Sequence, residues 1–182
     1  MSERAMLRRI VAALRDRSAS VSVEFVMILP VMVTLMFGTI EGTGLLMCYM
    51  KLVDATQTVA DLVCMQQSIA SSDIDNFNTA AGEVMEPYSS ADMGLIVTSV
   101  TFDPTSGAAS VAWQNTRGSV VVPPNSTTLA LAANYGTKGE SVIIVQTNYA
   151  YTSLLHYVLP ATIAFGQTAF EKPRLVASIP HT

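Results

Sequence analysis

The 182-residue chain has a formal net charge of −4 and is half apolar, with a mean hydropathy of +0.40. That is one domain's worth of sequence, richer in apolar residues than a water-exposed domain needs. The charge is divided: residues 1–19 hold five arginines and two acids, for +3, while the remainder holds five basic and twelve acidic residues, for −7. An acidic body argues against nucleic acid as a partner, and the basic end is expected to stay cytoplasmic while the rest is exported.

Residues 1–19 read as a basic leader. Met6, Leu7, Ile10, Val11 and Leu14 stand near helical spacing, which predicts a short amphipathic helix. From 25 to 40 there is no charged residue, and these 16 residues make about 24 Å of helix. Residues 21–24 on one side, or 41–50 on the other, bring the run to the ~17–25 residues of a membrane span. An ordinary secretory signal fits less well, because the run exceeds its ~7–15-residue core and no A-x-A site follows. Two residues are unusual. Glu24 either marks the polar edge of a plain signal anchor or is a functional intramembrane carboxylate. Pro30 lies inside the run, where membrane helices tolerate it.

In order, the sequence shows a basic leader, the small residue Ala19, four more residues, Glu24-Phe25 and a long apolar run with an early proline. This pattern resembles the class III signal of type IV pilins and pseudopilins, in which a prepilin peptidase cuts after Gly or Ala and glutamate is the fifth mature residue. The resemblance puts the cut between Ala19 and Ser20, with Ala19 where Gly is commoner. Glu24-Phe25 is similar to the Glu-Phe/Tyr pair of tight-adherence (Tad, type IVc) pilus proteins. Length and layout resemble the TadE-like minor pseudopilins, most strongly over residues 15–65.

After Met50 the helix is expected to continue to about residue 70. Leu52, Ala55, Val59, Leu62 and Ile69 form an amphipathic stripe. Two occupants of that stripe stand open: the chain's own domain and a neighbouring helix. Ser71-Ser72-Asp73 breaks the helix, and Ser72 or Asp73 is expected to cap a short surface helix reaching about Val84, before Glu86-Pro87 stops it. Residues 95–102 read as a strand with Ile96, Val100 and Phe102 on one face. Asp103-Pro104-Thr105-Ser106-Gly107 reads as a turn, and residues 108–115 as its partner strand with Val111 and Trp113 on one face. Trp113 is expected to seal the core rather than to read a ligand.

Residues 119–122 predict a short edge strand, Asn125-Ser126-Thr127 a cap for a helical turn over 128–133, and residues 135–140 a loop. Residues 141–151 are the best strand, expected to be central, with Ile143, Val145, Tyr149 and Tyr151 on one face and Ile144, Gln146 and Asn148 on the other. A short helix over 154–159, a last strand over 161–170 and an unordered tail complete the reading.

Little suggests chemistry. The two histidines, His156 and His181, stand in an apolar segment and in the tail, and no Ser/His/Asp, phosphate-loop or Cys/His pattern appears. Cys48 and Cys64 on one helix would lie about 24 Å apart, far beyond a disulfide's reach. The expectation is no enzyme, no metal and no cofactor. The fold class expected is α+β: a long N-terminal membrane-spanning helix leading into a small antiparallel-sheet periplasmic domain. Its parts are a leader over 1–19, the transmembrane and amphipathic helix over 20–70, and an α+β periplasmic domain over 71–182.

The resemblance implies a minor pseudopilin of the inner (cytoplasmic) membrane that supports pilus assembly, and hence adhesion and secretion. Its implied partners are the prepilin peptidase, other pilins and pseudopilins, the inner-membrane assembly platform and the lipid bilayer. Ala19, Ser20, Glu24 and Phe25 are the implied processing residues. Ser20 and Glu24 are the implied assembly residues, with Glu24 pairing an N-terminal amine to set subunit register. Glu41 is read at the outer interface of the membrane span, with a second intersubunit contact as the alternative. The alternative is an uncleaved, membrane-anchored periplasmic scaffold or binding protein.

Overall fold

The computed structural model describes residues 17–153 and 159–182, with backbone alone for 17–20. The expected leader helix, the short helix over 154–159 and His156 fall largely or wholly outside these residues. Eight elements follow in order: α1 (Arg17–Cys64), α2 (Ser71–Met85), a 3₁₀ turn (Ser90–Asp92), β1 (Met93–Phe102), β2 (Ala109–Arg117), α3 (Asn125–Ala132), β3 (Ser141–Thr152) and β4 (Thr162–Glu171). The α+β class is as the sequence implied.

The chain divides into two compact units: Met1–Thr43 with Leu154–Pro160, and Gly44–Ser153 with Ala161–Thr182. The second unit holds an antiparallel sheet in the order β2-β1-β3-β4. β3 is central, and its faces divide as its alternation requires. Ile143, Val145, Tyr149 and Tyr151 join the larger core, while Ile144 joins a smaller one on the other side.

On the larger core, Cys48, Leu52, Ala55, Val59 and Val63 of α1 are fully buried against the sheet. The amphipathic stripe therefore docks on the chain's own domain. One polar peg crosses that contact. Thr56 Oγ1 donates to Leu52 O at 2.6 Å, which spends its only proton, so Thr147 Oγ1 must donate to it across 2.6 Å.

α1 ends at Cys64, six residues before the expected end. No glycine or proline stops it; the C-terminal tail does. Arg174 N–H donates to Cys64 O at 3.0 Å, and the Arg174 guanidinium pairs with Asp61. Met65 and Gln66 still bond back to Asp61 O and Val63 O, but Ile69 N–H donates to Pro180 O and its carbonyl accepts from Thr182 N–H, so the chain pairs with the tail at Ile69 instead of winding on. The tail is thus ordered, contrary to expectation. Ile179 is buried, its carbonyl accepts from Trp113 Nε1 at 2.7 Å, and Ala177 O accepts from Ser141 Oγ at 2.7 Å.

Other expectations also need correction. α2 is not a surface helix, because Ile74, Phe77, Ala81 and Met85 form one buried stripe. Asp73 serves its N-terminus by accepting from Ala70 N–H at 2.8 Å. Val111 and Trp113 do not share a face. The β1–β2 register shifts between Ser99 and Val100, so Ala112 is an extra residue, and Val111 and Trp113 support opposite cores. Residues 119–122 form no strand. Gly118, at φ +70°, turns the chain, and Ser119 O accepts from Asn148 Nδ2 instead of a strand neighbour. α3 starts at Asn125 itself, after Pro124, with no side-chain cap.

The Asp103 turn forms as expected. Its carboxylate accepts from Thr105 N–H, Ser106 N–H and the Ser106 hydroxyl, which holds it below its ordinary pKa.

Leu52 sits at the centre of the helix–sheet contact. Leu52→Ala should cost about 2–5 kcal/mol, read as a lower denaturant midpoint from Trp113 fluorescence of the full chain in detergent. Val121→Ala, at a position 93% exposed, should stay within about 0.5 kcal/mol.

A pH dependence follows from Glu140. The Lys172 ammonium donates to it at 2.6 Å and Thr137 N–H at 3.0 Å, which together hold its pKa down at about 2, from an ordinary 4.5. A depressed folded pKa contributes stability above the unfolded value, and that contribution is lost as pH falls from about 4.5 towards 2. NMR titration of the Glu140 carboxyl should show this low midpoint, and Lys172→Met should raise it.

Candidate functional site: the anchoring helix

α1 is built for two surroundings. Among the described residues, it is the one helix long and apolar enough to cross a membrane. Val21, Phe25, Val26, Met27, Val31, Met32 and Leu35 all stand exposed on it. Pro30 is accommodated without breaking the helix. Hydroxyls in the apolar run are satisfied by the helix's own backbone: Thr34 Oγ1 donates to Pro30 O and Thr39 Oγ1 to Leu35 O, each at 2.8 Å. Such back-bonding suits a helix with no water beside it.

Ala19, Ser20, Glu24 and Phe25 all lie on α1, so the four residues singled out from the sequence are brought together within two turns of one helix. The Ala19–Ser20 bond falls in the first turn of the described helix. Ser20 and Glu24 are four residues apart, hence on one face. While the chain is continuous the Ser20 nitrogen is an amide, with neither charge nor amine to offer Glu24. Glu24 and Phe25 are exposed in the single chain, Phe25 at 59%.

Glu41 was placed by the sequence only at the end of the apolar run. It is in fact 2% exposed, and its Oε2 accepts from Leu159 N–H at 2.8 Å. A buried carboxylate needs such partners. No local signal announces this contact, because Leu159 is 118 residues away. His181 is engaged structurally: its Nε2 lies 2.6 Å from Asn115 Nδ2, and its ring lies 5.6 Å from that of Trp113. Among the described residues no cluster of three metal-ligating side chains occurs. Cys48 and Cys64 are buried free thiols on the same helix.

These features define a class: an α+β body carried on one long helix with the length and composition of a membrane anchor. Residues 19–61 match the family model described as TadE-like protein. The chain is therefore TadE-like over that helix, which agrees with the resemblance carried by Glu24-Phe25 and associates it with the Tad pilus. The sheet lies outside the matched segment. No curated protein and no solved structure matches.

Removing the Glu41 carboxylate should release Leu159. Hydrogen exchange at the Leu159 N–H should be faster in Glu41→Ala. Glu41→Gln, whose carbonyl oxygen can still accept the same N–H, should stay near the parent rate.

Proposed function

We propose that this protein is a minor pseudopilin that supports Tad pilus assembly, with its N-terminus cytoplasmic and its α+β domain exported. The observation that carries this reading is Glu24-Phe25 at the head of an apolar helix whose residues 19–61 match the TadE-like model. A prepilin peptidase cuts between Ala19 and Ser20 and removes the basic leader. The cut turns the Ser20 amide into an α-amine, one helical turn from Glu24.

Once such helices gather in an apolar environment, an unpaired carboxylate is strongly disfavoured and seeks a cation. An N-terminal amine, its own or a neighbour's, supplies one. A subunit out of axial register leaves a charge unpaired, so the pair selects register. The protein's partners are the peptidase, other pilins and pseudopilins, the assembly platform and the bilayer. The role is structural, not catalytic.

The intact mass of protein extracted from membranes tests the processing. A chain beginning at Ser20 is expected; one retaining residues 1–19 would favour an uncleaved anchored scaffold. Glu24→Ala should leave a membrane-bound protein that fails to support piliation, and normal piliation in that variant would overturn the register argument.

A further inference from the structure

We propose that the bilayer surrounds α1 as far as Met50, so that Glu41 lies inside the membrane and the turn between β3 and β4 reaches it there at Leu159. Three observations lead there. The first is a change in what α1 exposes. From 42 to 50 the chain carries no charge, and the large exposed side chains are Leu46, Met47, Tyr49 and Met50. From 51 to 64 the exposed residues are Asp54 and Gln57. The buried stripe runs on from Cys48 to Val63 across that switch, so the chain's own packing does not account for it. A change of medium does. At about 100° per residue the four apolar residues cover roughly 160° of the helix surface. That is a broad belt suited to a fluid solvent, wider than the seam of one partner helix.

The second is length. Glu24 and Lys51 bracket the stretch, and Glu41 is the one Asp, Glu, Lys or Arg between them. Their separation along one helix is about 40 Å, close to the ~40–45 Å of a bilayer with its headgroup layers. Both charges then fall among headgroups. Tyr49 and Lys51 are residue types at home in that layer, the ring at its level and the ammonium reaching out to water.

The third is Glu41 itself. It lies about 15 Å along the helix from Lys51, which puts it beneath the headgroup layer. A carboxylate at that depth has no water and must be enclosed and hydrogen-bonded. Glu41 is 2% exposed and accepts from Leu159 N–H at 2.8 Å. Lipid satisfies neither group, and each satisfies the other. Leu154–Pro160 forms one compact unit with Met1–Thr43. Its sequence carries no Asp, Glu, Lys or Arg, as a turn entering the membrane requires.

Lipid is the occupant these facts select: the belt is broad, uncharged, continuous with the span and ended by a lysine. The chain then meets the bilayer at two places, along α1 and at the β3–β4 turn, with the Glu41–Leu159 bond joining them. This inference rests on α1 being a membrane anchor, and not on pilus assembly or on cleavage at Ala19.

Nitroxide labels on single introduced cysteines of the purified full chain in liposomes test it. Relaxation by oxygen, which concentrates in lipid, is compared with relaxation by a water-soluble nickel chelate. Leu46→Cys, Met47→Cys and Pro160→Cys should respond more to oxygen, as Met32→Cys does within the span, and Asp54→Cys more to nickel. The parent chain, whose cysteines are buried, is the labelling blank, and unchanged Trp113 fluorescence verifies folding. Nickel dominating at 46 and 47 while oxygen dominates at 32 would end the span before the belt and overturn the proposal. Nickel dominating at 32 as well would overturn the anchor itself. Nickel dominating at 160 alone would overturn entry of the turn. Access of neither reagent at 46 and 47 would mean that protein covers the belt, and would also overturn the proposal.

Discussion

One backbone has to satisfy two media. Between Val21 and Leu35, α1 presents mostly exposed apolar side chains, and between Cys48 and Val63 it presents a stripe fully buried against a sheet. Hydrophobic burial is non-directional, so the same residue types serve both ends. The difference lies in periodicity: apolar all round in the first part, apolar on one side in the second. The sheet and α2 assemble around that second part.

Polar groups along this helix are handled in a graded way. Thr34 and Thr39 turn back onto the carbonyls four residues earlier, which lets them stand in an apolar environment. Thr56 does the same and also accepts from Thr147, so one hydroxyl serves the helix and ties it to β3. Glu41 is buried and accepts a backbone N–H from a distant segment. Glu24 stands exposed on the single chain. That ordering separates groups engaged within the fold from a carboxylate that stands exposed.

Much of this was legible in the sequence because it is periodic. The uncharged run, the stripe after Met50, the alternation of 141–151 and the Asp103 turn all follow from local spacing and turn chemistry. Three of the failures have a common origin in long-range contacts. The end of α1, the ordered tail and the Glu41–Leu159 bond each depend on residues roughly a hundred or more positions away, which no window of local pattern contains. The Ala112 bulge is subtler: one extra residue reverses the side on which everything after it falls, so Val111 and Trp113 looked equivalent and are not. α2 was misjudged on the number of its apolar residues, when their placement at 74, 77, 81 and 85 was the informative quantity.

The strap formed by residues 174–182 has a consequence for how the body is held closed. It stops α1 at Cys64, pairs with Ile69 and supplies Ile179 to the core beneath Trp113. Backbone groups at Cys64 and Ile69 are therefore satisfied only when residues 174–182 are in place. With that strap displaced, α1 would end on an open carbonyl at Cys64 and the Trp113 indole would lose its acceptor. The strap thus closes one end of the body, covering both α1 and β2.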